Sequence, residues 1–158
     1  MAIHLEPVTI DNWQEVIKID LLPEQWGNVD PPSVLHALCE SHLYGTYKNA
    51  AIIDGDEMVG FVIYGPHHQN AETYWNVPIL IIDKAHQRKG YGRVAMKQVV
   101  EEAKAVTPPL KGVVISYRLD NIAAQGLYTS LGFEPFRDDE TDTYACLNFA
   151  AVTPARTS

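Results

Sequence analysis

The sequence predicts an α/β fold of the α+β kind, one domain in which helices cover a mixed sheet. Three observations predict it. Apolar residues alternate or cluster in short runs of strand length, they recur at helical spacing in four other segments, and glycine, proline and aspartate punctuate the joints. The resulting order is strand, two helices, three strands, helix, strand, helix, two strands. A chain of 158 residues fits one domain, here residues 1–150, followed by a small polar tail over 151–158 that is expected to fray.

Ile3 and Leu5 alternate with His4 and Glu6 as in a half-buried strand. Thr9 then caps a helix that carries Trp13, Val16, Ile17 and Leu21 on one face, and Pro23 ends or bends it. Residues 21–29 lack a clean period and lead to Pro31-Pro32, which suit the first turn of a second helix. Its apolar stripe is Val34, Leu35, Leu38, Cys39, His42 and Leu43. Ala50 to Ile53 and Met58 to Tyr64 read as a hairpin turned by Asp54-Gly55-Asp56-Glu57. After a loop over 65–70, the strand from Trp75 to Ile82 carries Pro78 in its interior, where the missing N–H predicts a bulge or a splayed edge.

Val94, Ala95, Met96, Val99, Val100 and Ala103 give the third helix its stripe until Thr107-Pro108-Pro109 stops it. A strand follows from Val113 to Leu119, and Asn121 caps a short helix through Ala123, Ala124, Leu127, Tyr128 and Leu131, closed by Gly132. Phe133 opens a strand, Asp138 to Thr141 make a polar turn, and the last strand runs from Tyr144 to Phe149.

Composition excludes several classes of function. With 46% apolar and 20% charged residues the chain is an ordinary globular protein, and no apolar run approaches the roughly 20 residues of a membrane span. Met1 to Thr9 hold no basic cluster followed by an apolar block, so no secretory signal is read there. Cys39 and Cys146 lack the paired spacing of a metal site and read as buried thiols of a reducing cytoplasm. The neighbours His67 and His68 have no matching ligand cluster, so no metal is expected. A formal charge of −8 argues against nucleic acid as a partner and is compatible with a cationic substrate.

The stretch from Ile79 to Arg93 carries the chemistry. An apolar strand passes through a polar turn into Gly90 and Gly92 and then into a helix. Glycines let a backbone approach a ligand closely, and the free N–H groups of a first helical turn attract anions, above all phosphates. Gln87-x-x-Gly90-x-Gly92 resembles the coenzyme A signature of the Gcn5-related N-acetyltransferase (GNAT) superfamily, and Asn121-x-x-Ala124-x-x-Leu127-Tyr128-x-x-x-Gly132-Phe133 resembles that family's second segment. The two motifs stand in the family's order, on the elements that carry them there.

The resemblance implies the acyl-CoA N-acyltransferase fold, a mostly antiparallel sheet whose central parallel pair is splayed, flanked by about four helices. It implies acetyl-CoA as co-substrate, with backbone groups of Leu80, Ile81 and Ile82 along the pantetheine arm and residues 88–93 around the pyrophosphate. Gln87, Arg88, Lys89, Gly90, Tyr91, Gly92, Arg93, Asn121, Ala124 and Tyr128 are the implied cofactor contacts. For Arg88, Lys89 and Arg93 a solvated basic face accounts for the side chains equally well, and helix capping accounts for Asn121. Tyr128 is the implied residue for stabilising the departing thiolate.

The implied activity is acetyl transfer to a primary amine by direct attack in a ternary complex. The chain is most similar to bacterial spermine/spermidine acetyltransferases in Thr9-x-Asp11-Asn12-Trp13, Glu24-Gln25 with Val29, and Val59-Gly60-Phe61, which makes a polyamine the leading substrate. The resemblance implies that a carboxylate, or a water wired to one, takes the amine's proton, often from the fourth strand, where polyamine-acetylating relatives can place a glutamate. That position falls at Pro78 here, leaving Glu72 and Glu24 as candidate bases. A coenzyme A-binding module without turnover, or an acetyltransferase acting on another small amine or a peptide N-terminus, are the alternatives. The resemblance also allows a homodimer.

Overall fold

The computed structural model describes residues 2–29, 32–67 and 73–150. In chain order the elements are β1 (Ile3–Pro7), α1 (Trp13–Val16), a 3-10 helix (Pro23–Asn28), α2 (Val34–Tyr44), β2 (Lys48–Asp54), β3 (Glu57–Pro66), β4 (Tyr74–Ile82), α3 (Tyr91–Lys104), β5 (Gly112–Arg118), α4 (Ile122–Ser130), β6 (Glu134–Asp138) and β7 (Asp142–Asn148). The strands form one seven-stranded sheet in the order β1-β2-β3-β4-β5-β7-β6. Of these neighbours only β4 and β5 run parallel.

The sheet is buried differently on its two faces. Under α3 and α4 lies a core that includes Ile52, Val62, Met96, Val99, Val113, Ile115 and Phe133. On the opposite face α1 and α2 cover only the β2–β4 half, over Ala51, Phe61, Ile63, Ile79 and Ile81. Beyond β4 that second face carries no helix among the described residues. It is hollowed to about 670 Å³ between Tyr74, Asn76, Ser116, Phe136, Tyr144 and Asn148.

Three expectations are corrected. The first helix is one turn long: past it the amides of Lys18 and Ile19 bond only three residues back, to Glu15 and Val16, and side-chain carboxylates take the next two amides. Asp83 accepts from the Asp20 amide at 3.0 Å, and Asp20 accepts from its neighbour Leu21 at 2.9 Å and from the Trp26 indole at 3.2 Å. The buried face of α2 runs through Val34, Ala37 and Ser41 rather than through Leu35 and Leu43, which are 49% and 85% exposed. The small residues Ala37 and Ser41 let the helix lie close to the sheet, and the larger ones are turned outward. Cys39 rides on that outer side and is exposed, whereas Cys146 is buried.

The bulge expected at Pro78 is present. Gly65 of β3 faces Asn76 of β4, but Ile63 faces Ile79, so β4 holds one extra residue at Val77-Pro78. Trp75 and Val77 face α3, Ile79 and Ile81 face α2, and Pro78 between them is exposed. The ladder between β4 and β5 stops at Asn76 opposite Val114, immediately before the extra residue. A bulge bends its strand and ends pairing, and here it prises the two parallel strands apart.

Candidate active site

Past Asn76 and Val114 the strands diverge into a cleft of about 700 Å³. One lip is the open edge of β4. The Asp83 amide donates to the Val59 carbonyl at 2.9 Å, which sets the alternation of the antiparallel ladder. Odd-numbered residues of this stretch therefore spend their backbone groups on β3, and Leu80 and Ile82 direct theirs into the gap. The Ile82 carbonyl accepts from Gln87 Nε2 at 3.0 Å, as an outward-facing group would. Ile81 belongs to the ladder and its side chain to the α2 core, so of the three strand residues expected at the cofactor it alone stands outside the cleft.

The cleft's end is built by the turn into α3. Arg88 sits at φ 64° and Gly90 at φ 85°, two left-handed residues bracketing Lys89. Alternation of this kind gathers N–H groups on one concave side and suits an anion. The first bond of the helix runs from the Val94 amide to the Gly90 carbonyl, leaving the amides of Tyr91, Gly92 and Arg93 without an intrahelical acceptor. Two side-chain ties hold this turn in place. The Tyr91 hydroxyl donates to Asp54 at 2.7 Å, and Gln87 and Gln25 exchange amide hydrogen bonds at 2.8 and 2.9 Å. The second tie fixes the 3-10 helix, which forms the wall opposite α4, to the cofactor end.

From α4, Asn121, Ala123, Ala124, Leu127 and Tyr128 line the cleft. Asn121 Oδ1 accepts from the Ala124 amide at 3.1 Å, which caps the helix and leaves its NH₂ group for a ligand. Tyr128 is 7% exposed, stacked on Tyr117 at 5.8 Å and edge-on to Phe133 at 5.7 Å. Burial pushes its phenol up to about 12. The hydroxyl makes no hydrogen bond among the described residues and Tyr128 lines the cleft, so it is a neutral donor that no described side chain or backbone group engages.

Of the other expected residues, Arg88, Gly90, Tyr91, Gly92 and Arg93 line the cleft, and Arg93 is held by the Ser130 hydroxyl. Lys89 and Glu24 are exposed and lie off the lining. Glu72, like His68 and the tail, lies outside the described residues. Sequence reasoning did not find Arg118 and Asp142, which face each other on β5 and β7 and both line the cleft. Only the β5–β7 register makes them neighbours, and no local spacing reports that. Among the described residues no group of His, Cys, Asp and Glu is placed to hold a metal ion, and no helix is long and apolar enough to cross a membrane.

A sheet parted between two parallel strands, with free β4 amides beside an anion-binding turn, defines an acyltransferase whose donor is a coenzyme A thioester. The chain belongs to the acetyltransferase (GNAT) family, whose model matches residues 13–133. No curated protein matches the sequence. Among solved structures, it is similar to an acetyltransferase from Thermus thermophilus at 20% identity and TM-score 0.73, covering 94% of this chain and 98% of that one. The ribosomal-protein-S18-alanine N-acetyltransferase from Escherichia coli is 18% identical with TM-score 0.73, covering 97% of each chain. Arabidopsis thaliana NAA60 in complex with acetyl-CoA is 15% identical with TM-score 0.69, covering 93% of this chain and 98% of that one.

The chain is thus an acetyl-CoA-dependent N-acetyltransferase. The open backbone groups of Leu80, the Ile82 amide, the amides of the α3 turn and the NH₂ of Asn121 fit an extended ligand that carries amides and a diphosphate. When bound, acetyl-CoA supplies the activated acyl group.

Proposed function

We propose that this chain moves the acetyl group to a primary amine by direct attack in a ternary complex. The observation that carries the reading is the partnerless hydroxyl of Tyr128 in a cleft whose β4 edge is left open. No cysteine lines that cleft among the described residues, which supports direct attack over a thiol relay. A phenol at about 12 is a weaker acid than a thiol near 8.5 by about 3.5 pKa units, an uphill transfer of about 5 kcal/mol. Tyr128 therefore acts as a hydrogen-bond donor that strengthens as charge grows on sulfur.

The amine must still lose a proton. With a pKa near 10.4, an alkyl ammonium is about one part in a few thousand free base at pH 7, a cost of roughly 4.6 kcal/mol. Glu24 lies off the lining of the cleft, and Ser116 lines both the cleft and the hollow on the other face. We assign the proton to solvent.

A polyamine such as spermidine or spermine is the second reading. The charge of −8 and the similarity around Asp11-Asn12-Trp13 and Glu24-Gln25 favour it. Thiol release on mixing acetyl-CoA with polyamines, amino acids, aminoglycosides and peptide N-termini tests the proposal, with a coenzyme A thermal shift as the control for binding. Thermal stabilisation without turnover on any amine would leave a binding module only.

A further inference from the structure

Arg118 and Asp142 are directly opposite on antiparallel strands, so their side chains leave the same face of the sheet from Cβ atoms about 5 Å apart. Both line the cleft, and Asp142 is the one acidic residue among its described lining residues. Opposite charges so placed ordinarily pair, yet no ion pair joins these two. The guanidinium of Arg118 has no partner among the described residues. Asp142 accepts from Thr141 Oγ1 through Oδ2 at 2.7 Å, leaving Oδ1 open.

Asp142 is also held in place. Asp139 Oδ1 accepts from the amides of Thr141 and Asp142 at 2.9 and 2.8 Å, and its Oδ2 accepts from the Tyr144 hydroxyl at 2.9 Å. A turn fixed by these hydrogen bonds presents one carboxylate beside one guanidinium, both lining the cleft that Tyr128 also lines.

Resting on the amine-acetyltransferase reading above, we propose that Asp142 and Arg118 read the acceptor, and that it is a small amine bearing a carboxylate, an amino acid or a close relative. Asp142 holds the ammonium end and Arg118 the carboxylate, to which a planar guanidinium is matched. A polyamine offers Arg118 no partner, and a lone carboxylate cannot neutralise several ammonium groups.

The test measures kcat/KM by thiol release for the α-amino acids, each beside its carboxamide, with spermidine as a further acceptor. At least one amino acid is expected to react tenfold or more faster than its amide. Arg118→Gln should bring the two together, and Asp142→Asn should raise the acceptor KM tenfold or more. Both variants should keep the acetyl-CoA KM within twofold and the coenzyme A thermal shift of the wild type. Amides or spermidine reacting as well as the acids would overturn the inference while leaving the amine-acetyltransferase reading intact. A raised acetyl-CoA KM in Arg118→Gln would also overturn it, by giving that side chain to the donor. Silence across every amine would overturn both.

Discussion

The two lips of the cleft are made of different material. On the β4 and α3 side the groups that face the gap are backbone: Leu80, Ile82 and the amides of Tyr91, Gly92 and Arg93. Across the gap, on β5, β7 and α4, they are side chains: Arg118, Asp142, Asn121 and Tyr128. Backbone recognition survives most substitutions, because every residue but proline carries the same N–H and C=O. Side-chain recognition is lost in one step. The contrast is sharpest between the α3 turn, proposed for the donor, and the Arg118–Asp142 pair, proposed for the acceptor.

The largest expected effect comes from the joint between the lips. Deleting Pro78 makes β4 regular without changing which face Val77 or Ile79 occupies, so the strand can continue its ladder with β5. Turnover and the coenzyme A thermal shift should both vanish, while far-UV circular dichroism stays native. Retention of the full shift would mean that the bulge does not hold the strands apart.

Tyr128→Phe strikes the side-chain lip alone. Its kcat is expected to fall about 10²- to 10³-fold, the range for losing one donor to developing charge. The acetyl-CoA KM and the melting temperature should hardly move, since the hydroxyl has no partner to lose. A matching rise in acetyl-CoA KM would assign the hydroxyl to binding instead. In the wild type, kcat/KM should climb about tenfold per pH unit from pH 7 toward the acceptor's pKa. Because the phenol is raised to about 12, its proton stays in place over that range. The stability that the buried neutral phenol confers is full below its ordinary value near 10 and is lost only as pH rises through about 12.

A smaller effect is expected from Asp139→Ala, which loosens the turn beneath Asp142. The acceptor KM should rise several-fold and the acetyl-CoA KM should stay put. Amides of Thr141 and Asp142 and the Tyr144 hydroxyl hold the Asp139 carboxyl down at about 2. The order it gives the turn is therefore present above its usual pKa near 4 and is lost as pH falls toward 2. Proton titration of the turn amides by NMR would follow it. Least of all is expected from Lys89→Gln, since Lys89 lies off the lining. A change beyond twofold in the acetyl-CoA KM would draw that side chain into the phosphate site.

The turn into α3 and the α4 motif are legible in the chain itself because their signals are local. Gly90 and Gly92, the Asn121 cap and the spacing to Tyr128 each lie within a few residues of what they organise. Pro78, a proline inside an otherwise regular strand pattern, marks the joint for the same reason: a proline lacks its N–H wherever it stands. The α2 stripe is harder to read because Val34, Leu35 and Leu38 offer two overlapping faces, and only close packing by Ala37 and Ser41 chooses between them.

The amino-acid sequence on its own determined the order of elements and the glycine turn into α3, since each follows from conformational preferences over short spans, and its two motifs carried the resemblance that implied the donor. Tertiary structure alone decided which backbone groups of β4 stay open, that the Tyr128 hydroxyl is left unpartnered, and that Arg118 meets Asp142 although a helix and a strand intervene between them in the chain. Strand register brings distant residues together, and register is set by the packing of the whole sheet rather than by any segment of it.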